Sequence, residues 1–132
     1  MKTYFLDTNT CIYALKREGR VVERLRDHSP DDLGVTIITV AELWFGAHKS
    51  ARPAAARREM DGFLEPLEVL PFDREAAEAY ARSRLALERM GRPIGERDLL
   101  IASIALARGL AVVTHNVSEF GRVPGLKTED WL

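Results

Sequence analysis

Short apolar runs, each closed by a polar or acidic residue, alternate along this chain with longer segments whose apolar positions recur at helical spacing. Tyr4-Phe5-Leu6 is the first such run and reads as a strand. Asp7-Thr8-Asn9 then supplies N-cap chemistry for a helix running to Lys16. A second helix is predicted from about Arg20 to Arg26, with Val21, Val22 and Leu25 on one side, and Ser29-Pro30-Asp31-Asp32 breaks it. Residues 34–38 read as a second, fully buried strand. Thr39-x-x-Glu42 starts the next helix, which carries Leu43, Trp44 and Ala47, and a separate helix follows Pro53 toward Leu64. Glu68-Val69-Leu70 is a short third strand.

In the second half, Asp73 caps a long helix that runs to Met90 and stops at Gly91. Its stripe of Ala76, Ala77, Tyr80, Leu85 and Leu87 is imperfect, and its small residues invite close helix packing. From Asp98 the sequence is apolar almost all round as far as Gly109, the mark of a helix buried on most faces. Residues 111–114 form a fourth strand, residues 115–120 a loop or single helical turn, and residues 127–132 an added edge strand. Strands alternating with helices predict βαβ units, hence an α/β fold with a parallel sheet of four to five strands. A single domain spanning residues 1–132 is expected, with no internal repeat.

Composition adds limits. The chain has 132 residues, 46% hydrophobic and 30% charged, enough for one core. Cys11 is the sole cysteine, and the apolar N-terminal run is cut at Asp7, so neither a disulfide framework nor a membrane span is expected. A cytoplasmic location is the expectation. With a formal net charge of -1 and a pI near 6.3, the overall balance does not favour nucleic acid. A local basic face is still open: Arg82, Arg84, Arg89, Arg92 and Arg97 either frame a groove or belong to a solvated helix.

Asp7, Glu42 and Asp98 interrupt otherwise core-like stretches, each where a strand gives way to a helix or a helix begins. In a parallel sheet those places lie beyond the carboxyl ends of the strands, where ligands bind. Each also has a plain structural role available. Asp7 is a good N-cap, worth about 1 kcal/mol. Glu42 completes a capping box with Thr39, and Asp98 in a first turn suits the helix dipole. Caps, however, need no neighbouring acids, and a buried carboxylate on the Ile101, Ala102 and Ala105 face of a helix needs a cation or donors. Asn116 and Glu119, after the fourth strand, should reach the same crevice or are ordinary loop residues. An oxygen-only set suits Mg2+ or Mn2+, whereas His28, His48, His115 and Cys11 lack zinc-ligand spacing. No glycine-rich phosphate loop or nucleophile elbow is visible.

Phe5-Leu6-Asp7-Thr8-Asn9, Thr39-Val40-Ala41-Glu42-Leu43, Asp98-Leu99-Leu100-Ile101-Ala102 and Thr114-His115-Asn116, in that order, resemble the PIN-domain ribonucleases. Trp44-Phe45-Gly46 and Glu119-Phe120-x-x-Val123-Pro124-Gly125-Leu126 narrow the resemblance to the VapC toxins of toxin-antitoxin operons. It implies a three-layer α/β/α sandwich and a Mg2+-dependent endoribonuclease that cuts tRNA or ribosomal RNA by metal-activated water, leaving a 5′-phosphate and a 3′-hydroxyl. It also implies a homodimer and a cognate antitoxin that joins it in a hetero-oligomer and blocks the site. Carried over by position, Asp7 and Asp98 are principal metal ligands, and Glu42 is a third acid that ligates metal or orients water. Thr8, Asn9 and Thr114 support the carboxylates or hold substrate phosphate. The superfamily usually has an acid where this chain has Asn116, which leaves one metal or two as open alternatives, with Glu119 as the available substitute. Two rival readings stand beside this one: a haloacid-dehalogenase-type phosphatase, which needs a second Asp where Asn9 lies, and a binding module whose acids are only caps.

Overall fold

The computed structural model describes residues 3–132. Strands β1 (Tyr4–Leu6), β2 (Leu33–Thr36), β3 (Glu68–Leu70), β4 (Ala111–Val113) and β5 (Thr128–Glu129) form one sheet in the order β3-β2-β1-β4-β5. Every neighbouring pair is parallel. Parallel neighbours need crossovers, and helices supply them: α1 (Thr8–Lys16) and α2 (Val21–Arg26), α3 (Ile37–Lys49) and α4 (Pro53–Leu64), α5 (Arg74–Arg89) and α6 (Glu96–Arg108), and the short α7 (Val117–Phe120). The chain builds outward from β1 to β2 and β3, then returns to the far side of β1 as β4. That reversal opens a crevice at the carboxyl end of β1.

Period-two alternation sorts the strand residues between two cores. Phe5, Leu70 and Val112 face α5, α6 and α7, where Ala76, Leu87, Ile101, Ile104, Ala105 and Phe120 complete a buried cluster. Leu6, Leu33, Val35 and Val113 face α1, α3 and α4, with Cys11, Val40, Leu43, Leu64 and Trp131. The result is the α/β/α sandwich. Gly34 lies in the tight layer between: a Cβ there would meet the Glu68 carbonyl at 3.2 Å and the Phe5 ring at 3.6 Å. No helix among the described residues is long and apolar enough to cross a membrane.

The elements agree with the pattern except at boundaries, of which one matters. The second strand ends at Thr36, and α3 begins at Ile37, not at Thr39. Thr36 is the N-cap, accepting from the Thr39 backbone N–H at 3.2 Å. Ile37 and Ile38 resemble strand residues because they are β-branched, but the threonine hydroxyl starts the helix before them. Similarly, α6 begins at Glu96, two residues before Asp98. The edge strand is confined to Thr128–Glu129, with Trp131 buried beyond it.

Candidate active site

Asp7 follows β1 directly, and its carboxylate accepts from the Thr10 backbone N–H at 2.8 Å, capping α1. The expected capping role is therefore real, yet it does not exhaust the residue. Asp7 is only 4% exposed. Burial pushes its pKa up, hydrogen bonds from Thr114 and Thr10 pull it back, and the charge of Glu42 pushes it up further. The backbone holds this corner firmly: the Asp7 N–H donates to the Val113 carbonyl at 3.0 Å, and the Thr10 hydroxyl donates to the same carbonyl at 3.0 Å.

Glu42 comes from the second turn of α3. With Thr36 as the cap, no capping box forms between Thr39 and Glu42, so the plain structural reading of this glutamate fails. Its carboxylate instead turns across the crevice. The Thr8 hydroxyl donates to Oε1 at 2.6 Å, and Arg97 Nη1 lies 3.1 Å from Oε2. Thr39 Oγ1 stands 3.2 Å from Thr8 Oγ1, which ties β2's end to the start of α1.

Asp98 occupies the first turn of α6 and is half-buried. Its pKa is pushed up to about 6, first by burial, then by the charges of Glu119, Asp7 and Glu42, against a smaller downward pull from Arg97. Glu119 goes the other way: the Gly95 backbone N–H, donating at 2.6 Å, and the Asn116 side-chain amide, donating at 2.7 Å, hold it below the usual range. A methyl group on Gly95 would lie 3.4 Å from Glu119 Oε1 and 3.9 Å from Asp98 Oδ2, so the two carboxylates flank one backbone position.

Four carboxylates from four segments thus gather at the carboxyl end of the sheet, where Asp98 feels the other three and Asp7 feels Glu42. Thr8 and Thr114 serve them by hydrogen bonds, whereas Asn9 is exposed and no hydrogen bond among the described residues draws its side chain to them. Asn116 touches Glu119 through its amide nitrogen, with its own N–H on the Thr114 hydroxyl. Of the five arginines considered for a groove, Arg82 and Arg84 pair with Glu78 and Glu88 along α5, and Arg97 alone of the five pairs with one of these acids. Gly95 is a site residue that the sequence did not single out, and Arg97 and Thr39 take roles there other than the groove and the cap that the sequence suggested.

The donors are all oxygen, and Asp98 is raised first by burial and then by negative neighbours that Arg97 offsets only in part. Both facts fit a hard divalent cation among them. Among the described residues, however, no group of three or more His, Cys, Asp or Glu side chains is already arranged to hold an ion. Arg97 and Thr8 engage Glu42, and Gly95 and Asn116 engage Glu119.

With this geometry in view, the comparisons with known proteins are direct. The PIN domain family model matches residues 4–126. The tRNA(fMet)-specific endonuclease VapC of Salmonella typhimurium is 40% identical over 131 residues, 99% of each chain. Two solved structures superimpose closely: DNA-bound VapBC from Salmonella typhimurium, with a TM-score of 0.94 and 41% identity over all of both chains, and promoter-DNA-bound VapBC2 from Rickettsia felis, with a TM-score of 0.91 and 35% identity over 98% of this chain and 99% of that one. A family model that covers most of the chain, and relatives matched over nearly their full length, show that the chain belongs to the PIN-domain family, within its VapC group.

Proposed function

We propose that this protein is a Mg2+-dependent endoribonuclease and the toxin of a toxin-antitoxin pair, acting in the cytoplasm. The observation that carries the reading is the meeting of Asp7, Glu42, Asp98 and Glu119 at the switch point of the sheet, with Asp98 raised to about 6 by burial and by the other three. The relative named as a tRNA(fMet)-specific endonuclease supports a structured RNA, the initiator tRNA class, as substrate.

Asp7 and Asp98 would hold the ion, with Glu42 as a third acid and Glu119 in place of the missing acid at Asn116. Mn2+ would serve as well, since the donors are the same hard oxygens. Once bound, such an ion supplies Lewis acidity toward a phosphate oxygen and lowers the pKa of water. The chain's own groups do the rest. Asp7 is fixed by its cap and its burial, so its position costs little to maintain. Glu42, its rotamer set by Thr8, is placed to accept a hydrogen bond from the attacking water. Asn116 holds Glu119 through its amide and leaves the acid's charge to the site. Water as nucleophile would leave a 5′-phosphate and a 3′-hydroxyl, with RNA preference coming from contacts to substrate shape and 2′-hydroxyls.

An open, mostly apolar groove between α3 and α4, lined by Ile37, Val40, Trp44, Leu64 and Val69, supports a protein partner, and the neighbouring structures are complexes of the VapBC type. A homodimer and a hetero-oligomer with an antitoxin belong to the same proposal. The test uses purified wild-type and Asp7→Asn protein with total bacterial RNA, with Mg2+ or with EDTA, and maps cut ends by sequencing. Discrete cuts by wild type with Mg2+ alone are expected. Equal cutting by Asp7→Asn, or cutting undiminished in EDTA, would sink the proposal.

A further inference from the structure

Among the described residues, Arg97 is the cation that forms an ion pair with one of the four acids. Its side chain is 71% exposed, so the fold does not need it as core, yet its guanidinium ends 3.1 Å from Glu42 Oε2. Glu42 is much less exposed, at 21%, and its other oxygen is already satisfied by Thr8 at 2.6 Å. The oxygen that Arg97 covers is therefore the one a cation in the crevice would take. Arg97 also sits in the first turn of α6 next to Asp98, where it offsets part of the repulsion that raises that acid.

From this geometry we infer that Arg97 is a substrate-positioning residue with two stations. Without RNA it rests on Glu42 and competes with the divalent cation for that carboxylate; with RNA it releases Glu42 and takes a non-bridging phosphate oxygen of the strand being cut. The inference rests on the metal-dependent nuclease reading above. Both stations suit a guanidinium, which binds carboxylate and phosphate through the same planar fork. The exchange is feasible because an ion pair with one highly exposed partner is weak and reversible. While Arg97 rests on Glu42, the carboxylate that would join Asp7 and Asp98 is engaged elsewhere.

The experiment measures Mn2+ binding by calorimetry to RNA-free wild type, Arg97→Met, Arg97→Lys and Asp7→Asn, and cleavage kinetics of the same proteins at saturating metal. Arg97→Met should bind Mn2+ more tightly, by about two- to fivefold, the amount an exposed pair can contribute. It should nevertheless cut RNA about ten- to a hundredfold less efficiently, as expected for a lost charged hydrogen bond. Arg97→Lys should recover part of the cleavage, since it keeps the charge without the fork. Unchanged or weaker Mn2+ binding in Arg97→Met, or undiminished cleavage, overturns the two-station role. Loss of the nuclease reading itself would look different: Asp7→Asn would then bind Mn2+ and cut as wild type does.

Discussion

Asp98 carries a stability cost that follows from its burial among other acids. Its pKa is raised to about 6 in the folded protein, against an unfolded value near 4, so between those limits the folded state holds the proton more tightly. Stability should therefore fall as pH rises from about 4 to about 6, and the loss is complete at neutral pH. With allowance for the half-exposed side chain, the cost is on the order of 1 kcal/mol. In metal-free buffer at pH 7, Asp98→Asn should melt above wild type, and the difference should vanish at pH 4. A lower melting temperature for Asp98→Asn at pH 7 would contradict this account. Asp7, Asp98 and Glu42 were legible in the sequence because each breaks an apolar run. Glu119's tie to Gly95, and Arg97's reach to Glu42, were not, since both span loops whose course no periodicity encodes.

Among the elements, the junction of β2 and α3 is the instructive case. Gly-Val-Thr-Ile-Ile reads as one buried strand, and Thr39-x-x-Glu42 looks like a helix start. The real start is Thr36, three residues earlier, and this shift places Glu42 on the second turn with its carboxylate free for the crevice. Two overlapping N-cap patterns compete in one segment, and only the packing of Val40 and Leu43 into the core selects between them. Thr36→Val keeps the volume and removes the acceptor, so it should cost about 1 kcal/mol, a melting temperature lower by about 3 to 5 °C for a chain of this size. An unchanged melting temperature would return the cap to Thr39. By contrast, α1 and α5 start where their patterns place them, because Asp7 and Asp73 cap them by side-chain hydrogen bonds, and Gly91 and Gly109, at φ 65° and 68°, mark the ends of α5 and α6; the α5 stripe agrees less well, since Leu85 is exposed.

For the whole molecule, alternation of strands and helices was enough to give a parallel sheet and the family resemblance gave the three layers, but strand order depended on the reversal beside β1, which local pattern does not encode. The proposed dimer also belongs at this scale. The small-residue stripe of α5 does not supply its interface, since Ala76, Ser83 and Leu87 are buried in packing against the chain's own α6. Leu85 on the same helix and Met90 at its C-cap remain exposed and are apolar material available to a second copy. Light scattering on antitoxin-free protein should show a dimer at micromolar concentration, and Leu85→Glu should shift it toward monomer. A monomer throughout that range would reject the assembly.

The double duty of Asp7 has a consequence for inheritance. Asparagine caps helices as well as aspartate does, so the exchange that removes a charge from the crevice leaves α1 capped at Thr10. Under the proposed function, one conservative amino-acid change at this position would remove cleavage without passing through a misfolded product that proteases would clear. The resulting protein would keep every surface of its parent, and reversion at the same residue would restore the activity.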